Sequence, residues 1–374
     1  MKVIVVGTAH PYRGGIAAFT DRLATEFVKE GVDIEVVTFK LQYPSFLFPG
    51  KTQYSDAKAP EGFPIERKVN SINPLNWRKV GKEICEKNPD ILVFTYWMSF
   101  FAPCFSKIAK VVKRNGHTKC IGLIHNMIPH EKSLLDKMFA PRFVKSMDGF
   151  VALSQSVLND IAALDRQNKP KCLVHHPLYD HFGEIMDQAE AKKHLNLDEK
   201  YCYFLFFGLV RAYKGLDLLI DAFADERLRK YPVKLIIAGE FYDDPKPYLK
   251  QVEKLNLQDF VIIENQYIND VDVKYYFNSA DMVVQPYKSA TQSGVTQIAY
   301  HFEKPMLVTN VGGLGEMIPD GKVGYVVEPK SDAIADALVD FCENDRHDNF
   351  VEGVREEKKK YQWSSMTEAI KKLL

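Results

Sequence analysis

Short uninterrupted apolar runs alternate with stretches of helical periodicity along almost the whole chain, the pattern produced by βαβ units around a parallel sheet buried on both faces. In the first half the runs predict strands at Lys2–Gly7, Asp33–Phe39, Ile91–Tyr96, Lys119–Ile124, Gly149–Leu153 and Lys171–His175. After Pro177 the alternation restarts, with strands at Tyr203–Phe207, Lys234–Ala238, Phe260–Glu264, Met282–Gln285, Met306–Thr309 and Tyr325–Val327 and helices such as Leu216–Ala224 and Ala333–Cys342. The fold class that follows is α/β, in two Rossmann-like doubly wound domains. No self-repeat or low-complexity tract interrupts them, which argues against a solenoid.

Two stretches break the rhythm. Leu41–Ile72, rich in Pro, Gly and aromatics, reads as a long irregular excursion, the usual place for a substrate-specific loop. His176–Glu199, with a charged and helix-prone half, reads as hinge and linker. The expected division is a first domain at 1–176, a second at 177–358, and a C-terminal helix at 359–374 that packs back on the first. A chain of 374 residues suits two domains, each with a core of its own.

Hydropathy gives no membrane span. The start, Met1–Gly7, has an apolar run far shorter than that of a signal peptide and reads as the first strand. The longest uncharged stretch, Ile91–Ser106, is 16 residues and contains Pro103, short of the roughly 20 that a spanning helix needs. It divides into a buried strand, a turn and a helix entered near Pro103. Charge excludes another class: 49 Lys plus Arg balance 49 Asp plus Glu, so no global field draws nucleic acid or an anionic membrane. Six scattered cysteines without a CxxC pair read as reduced core thiols, which favours the cytoplasm and argues against structural zinc.

Two doubly wound units are expected to face each other across a cleft, with the carboxyl ends of their strands and the following helix N-termini toward it. Four loops there carry chemistry. In His10–Ile16, HPYRGGI, the paired Gly14 and Gly15 let backbone approach a ligand, although the spacing is not the dinucleotide GxGxxG, and a plain glycine turn is an equal reading. In Gly208–Gly215, Arg211 and Lys214 stand at a helix start, where a fork and a point charge converge on a polyanion. In Thr291–Gln297, the hydroxyls and amides of Thr291, Gln292, Ser293, Thr296 and Gln297, with Gly294 and Val295, open a helix that Ser293 is expected to cap. His125 follows a strand directly and is as consistent with a core histidine as with a ligand for a sugar hydroxyl or leaving phosphate, whereas His175 and His176 read as structural. Trp97 leaves its strand toward the cleft and is the candidate acceptor contact, while Phe100 and Phe101 read as core.

These motifs, in this order, resemble the retaining glycosyltransferases of the GT-B fold, family 4 type, also called glycosyl transferases group 1. The resemblance covers nearly the whole chain. Gly14-Gly15-Ile16 looks like the family's N-terminal glycine loop, and His125-Asn126 with Pro129-His130-Glu131 like its histidine motif beside the transferred sugar. Arg211 and Lys214 are similar to its basic pair on the donor diphosphate, and Gly239-Glu240 to its IAGxG turn. The stretch from Ser279 to Ile318, SADMVVQPY through SGVTQIAYHFEKPMLVTNVGGLGEMI, is the most specific. The chain departs from the pattern where the family carries a pair of glutamates in the donor loop: Ala290 or Thr291 and Ile298 or Ala299 stand there, with Thr291, Gln292 and Gln297 the nearest polar substitutes. The arginine is also shifted, since the family's usually sits where this chain has Leu209.

The resemblance implies transfer of a sugar from a nucleoside diphosphate sugar, held by the second domain, to a hydroxyl of a saccharide or lipid-linked saccharide held by the first. Retention of configuration is expected, with no cofactor and no metal, because Asp243-Asp244 beside Pro245 reads as a solvated turn. Loose association with the inner face of the cell membrane fits such acceptors. A UDP-sugar 2-epimerase of the same architecture and a non-catalytic nucleotide-sugar-binding module are the competing classes; sparse loop carboxylates disfavour the first, and the missing glutamates keep the second open. Base, sugar, acceptor and oligomeric state are not written in the sequence.

Overall fold

The computed structural model describes residues 1–43, 53–54, 58–127, 134–290 and 293–374, without the side chains of 134–137. It divides into two compact units, Met1–His176 with Gln362–Leu374, and Pro177–Tyr361.

The first unit is built on one parallel sheet with strands β1 (Lys2–Val6), β2 (Asp33–Leu41), β3 (Ile65–Asn70), β4 (Ile91–Tyr96), β5 (Lys119–Ile124), β6 (Gly149–Ala152) and β7 (Lys171–Leu173). They lie in the order β3-β2-β1-β4-β5-β6-β7. The centre is apolar because both faces are covered: Val3 to Val6 on β1 and all of β4 are buried. The helix Gly15–Lys29 buries Phe19, Leu23 and Phe27 on one stripe against Val3, Val5 and Ile91. The helix Pro74–Lys87 is fixed at its start by the Asn73 side chain, which accepts from the N–H groups of Leu75 and Asn76, and by proline at its first position.

The second unit repeats the plan with β8 (Cys202–Phe207), β9 (Val233–Ala238), β10 (Val261–Glu264), β11 (Met282–Gln285), β12 (Met306–Thr309) and β13 (Gly324–Val327). Their order is β10-β9-β8-β11-β12-β13, all parallel. The winding direction reverses between β1 and β4 in one sheet and between β8 and β11 in the other, the position where open α/β sheets bind ligands.

The expected strands occur with ends shifted by a residue or two. Three readings change. Leu41–Ile72 is not wholly irregular: its described part contains β3, an edge strand whose IERKVN sequence hides it from a hydropathy reading. Its charges are satisfied by ion pairs, Lys68 with Glu66 and Glu83 at 2.9 Å each and Lys87 with Glu66 at 2.9 Å. His176–Glu199 is not a loose linker from Pro177 onward. The Met186 N–H donates to Asn278 (3.2 Å), Gln188 donates to Asp281 (3.0 Å), and the helix Gln188–His194 packs in the second unit. The second unit also runs past residue 358 to Tyr361, whose ring packs 4.8 Å from Tyr300 and whose hydroxyl donates to the Met317 carbonyl. The helix Trp363–Lys371 then lies on the first unit, with Trp363 4.9 Å from Phe19 and Lys371 paired with Glu30.

Candidate functional site

In the second unit, the loops leaving β8, β9 and β11 are joined by backbone. The Val210 N–H donates to the Glu240 carbonyl (2.8 Å) and the Tyr242 N–H to the Val210 carbonyl (3.0 Å). Gly215, at φ +66°, passes so near β11's exit that a Cβ there would lie 2.0 Å from the Pro286 oxygen. The Lys288 N–H donates to the Tyr213 carbonyl (2.7 Å), and its ammonium is taken by Asp217 at 2.6 Å.

Arg211 and Lys214 are presented on this frame. The Arg211 guanidinium lies 4.0 Å from the centre of the Tyr242 ring, and its buried Nε has no hydrogen-bond partner. Lys214 ends the 3-10 turn Ala212–Lys214, its Nζ 5.6 Å from the Tyr287 ring centre. Burial first, and then the charge of Arg211, push its ammonium down to about 8. Two cations held together at the cost of one's basicity are poised for a polyanion, whose charge relieves both. Glu240 contributes its carbonyl to the frame and its side chain is exposed.

Beside them, the helix Gly294–His301 begins with buried polar groups. Thr296 donates to Gln285 Oε1 (3.2 Å), leaving Gln285 Nε2 without a partner, and both amide ends of Gln297 are unpaired at 2% exposure. An unpaired buried amide costs about 1–3 kcal/mol, so these groups suit a ligand that brings donors and acceptors. Ser293 does not cap the helix as expected. Its hydroxyl lies 3.4 Å from the Tyr287 hydroxyl and makes no bond to the helix N–H groups. Val295 is buried, and a Cβ on Gly294 would meet the Tyr179 ring at 2.8 Å. Thr291 and Gln292 lie outside the described residues.

In the first unit, His125 follows β5, its N–H donating to the Tyr96 carbonyl (2.8 Å). Phe19 packs edge-on at 4.6 Å, Nε2 is unpaired, and burial, with His176 second, presses the imidazole down to about 3. It is therefore neutral at physiological pH and can share a hydrogen bond but not supply charge. Gly14 precedes the helix Gly15–Lys29 at φ +108°. Asp21 on that helix accepts the His10 N–H with both oxygens at 3.2 Å, and burial raises its carboxyl to about 6. Trp97 is half-buried, 6.2 Å from Tyr43 and 5.5 Å from Phe101, while Phe101 is core as expected and Phe100 packs against it, partly buried. Pro129, His130 and Glu131 lie outside the described residues. Among the described residues, no three His, Cys, Asp or Glu side chains group as metal ligands, and no helix is long and apolar enough to cross a membrane.

Two family models match, "Glycosyl transferases group 1" over residues 187–361 and "Glycosyltransferase Family 4" over residues 13–178. The chain belongs to this glycosyltransferase family. The glycosyltransferase is 24% identical over 376 residues to an uncharacterized glycosyltransferase of Methanocaldococcus jannaschii, covering 100% of this chain and 97% of that one. Its fold matches a glycosyltransferase of Rickettsia africae with a TM-score of 0.72 at 17% identity, covering 99% and 98% of the two chains. It also matches HepE of Anabaena, solved in complex with UDP, with a TM-score of 0.70 at 15% identity over 100% and 99%. The architecture is GT-B.

Several residues of the glycosyltransferase escaped the sequence reading. Tyr242 carries no motif, and Tyr287, although it closes the SADMVVQPY stretch, is not marked by it as a site residue, since their place under the two cations depends on loops brought together by the sheet. Gln285 did leave a signal, a polar residue ending an otherwise apolar strand. Asp21 sits on the polar side of an amphipathic pattern and showed none.

Proposed function

We propose that this glycosyltransferase moves a sugar from a nucleoside diphosphate sugar to a hydroxyl of a saccharide or lipid-linked saccharide, with retention of configuration and without a metal. The observation that carries the reading is the pair Arg211 and Lys214, held beside each other on a rigid three-loop frame with the lysine's charge pressed down. As the bond from the sugar carbon to the diphosphate breaks, negative charge grows on the diphosphate. Cations fixed there stabilise the transition state more than the ground state and do what a metal would otherwise do. The unpaired Gln285 Nε2 and the two unpaired amide ends of Gln297 favour contacts to hydroxyls of the donor, in a loop that lacks the family's glutamates. Gly239 and Glu240 shape the loop, and His125 in the first unit offers a neutral imidazole to a sugar hydroxyl. HepE, also solved with UDP-glucose, makes UDP and UDP-sugars the first donors to test.

The acceptor is assigned to the first unit, where Trp97 lies half-buried in an aromatic cluster. Work at the cytoplasmic face of a membrane is supported by exposed Ile72 and Leu75 beside exposed Arg78, Lys79 and Lys82, with exposed Lys107 and Lys110 on the neighbouring helix Ala102–Val112. Incubation with radiolabelled UDP- and GDP-sugars tests the reading. Slow release of free sugar, faster with a saccharide acceptor, supports transfer; formation of an epimer would make the protein an epimerase, and tight binding with neither would make it a binding module.

A further inference from the structure

The second unit has a cavity of about 370 Å³ away from the Gly208–Lys214 loop, lined in part by Gln188, Cys202, Tyr231, Asp281, Cys342 and His347. Cys202 opens β8, fixed by its N–H donating to the Pro232 carbonyl at 2.8 Å. Cys342 lies in the last turn of the helix Ser331–Glu343. The two segments are packed together beside the sulfurs, since Phe204 and Phe341 stand 5.9 Å apart. Both cysteines line this one cavity, and their side chains interact with each other there.

The donor loop leaves β8 at its other end, so sugar transfer makes no use of this pair. The remaining four thiols lie in the first unit: Cys104 and Cys120 are buried, Cys172 donates to the Phe150 carbonyl at 3.7 Å, and Cys85 is partly exposed on the helix Pro74–Lys87. Cys202 and Cys342 are each partly exposed and share one accessible cavity.

We propose that Cys202 and Cys342 form a reversible dithiol–disulfide pair, a modification site that low-molecular-weight disulfides reach through this cavity. The interaction between them lowers the Cys342 thiol and raises that of Cys202, which assigns the first attack to Cys342. The Cys342 thiolate attacks one sulfur of the incoming disulfide, breaking its S–S bond and expelling one thiolate. Cys202 then loses its proton and attacks the Cys342 sulfur, forming the internal bond and expelling the second thiolate. The two protons released end on the two departing thiols, so the protein is oxidised by two electrons and the small disulfide is reduced by two.

The test is incubation of the full chain with oxidised glutathione, followed by alkylation under denaturing conditions and mass spectrometry. The expected result is loss of two hydrogens with no glutathione retained, loss of alkylation at Cys202 and Cys342, and a peptide joining them. The thermal midpoint should rise on oxidation and return with dithiothreitol, because the crosslink closes a long loop. In Cys202→Ala, glutathione should remain attached at Cys342. Full alkylation of both cysteines after oxidation, or a linkage to any other cysteine, would overturn the assignment, and the wild-type measurement alone decides this if the variants do not fold.

Discussion

Gly239 passes Gly208 so closely that a Cβ on it would lie 2.2 Å from the Gly208 carbonyl oxygen, and its φ of +148° is one that other residues rarely adopt. This approach lets the loops after β8 and β9 form the Val210–Glu240 and Tyr242–Val210 bonds, which put Tyr242 under Arg211. Gly239→Ala must part the loops. The expected result is a loss of UDP affinity of tenfold or more, about 1.4 kcal/mol, in protein that still folds but melts earlier. Calorimetric titration with UDP, the first nucleotide to try, and a melting curve read both; wild-type affinity in the variant would disconnect the glycine contact from the donor site.

Lys214 gives a pH signature. Its ammonium sits near 8 instead of the usual 10.5, and an adjacent diphosphate would raise it again. Binding should therefore take up a proton above pH 8, and affinity should fall as pH rises further, by up to about tenfold per unit. The folded chain binds fewer protons here than the unfolded one between 8 and 10.5, so this group's contribution to stability rises with pH through that window. Lys214→Ala should weaken nucleotide binding by about 1.5–3 kcal/mol and flatten the pH dependence. Binding heats measured in two buffers of different ionisation enthalpy give the proton count directly.

The fold was legible because both sheets are parallel and buried on two faces, so that runs such as Ile91–Tyr96 and Met306–Thr309 stand out without alternation. β3 was hidden because an edge strand can carry charge when neighbouring elements neutralise it, as Glu83 and Lys87 do for Lys68 and Glu66. At the site, Arg211 and Lys214 could be named from their position after a strand. The reversal between β8 and β11 that brings Pro286 against Gly215, and Tyr287 against Lys214, is a long-range fact that local pattern does not contain. The Ser293 cap failed for a related reason: its hydroxyl lies by Tyr287, a partner visible only once the loop is folded.

Asp21 predicts a stability gain. Its folded pKa of about 6 exceeds the usual 3.8, so the folded chain binds more protons between those values and stability falls as pH rises through them. The full penalty persists above pH 6. Asp21→Asn keeps an acceptor for the His10 N–H and removes the charge, and should stabilise the protein at pH 7 by about 1–3 kcal/mol while giving little at pH 4. Denaturant unfolding at the two pH values checks this, and a loss at pH 7 would mean that the carboxylate charge is needed by the His10 loop.

Metal independence predicts that transfer survives excess EDTA. On the proposed reading, the Arg211 and Lys214 charges are in place before the donor arrives and hold the diphosphate without a divalent ion. Abolition of transfer by the chelator, restored by Mg²⁺ or Mn²⁺, would transfer that role to a metal and leave the two cations a secondary one.

The proposed role of Trp97, contact with the acceptor and not the donor, is open to a kinetic test. It lies just beyond the carboxyl end of β4, half-buried, with Tyr43 at 6.2 Å and Phe101 at 5.5 Å behind it, so its indole is held by packing while part remains open. An aromatic face fixed this way suits the apolar C–H face of a saccharide. Trp97→Phe preserves much of the packing and should raise the acceptor KM several-fold with little change in slow donor hydrolysis. Trp97→Ala also opens a cavity against Phe101, so part of its larger loss in kcat/KM will come with lower thermal stability, about 3 kcal/mol or more for a truncated tryptophan. The comparison that decides is donor hydrolysis against transfer in the phenylalanine variant: a selective loss of transfer places the acceptor here, whereas equal loss of both in folded protein makes Trp97 a core residue and moves the acceptor elsewhere.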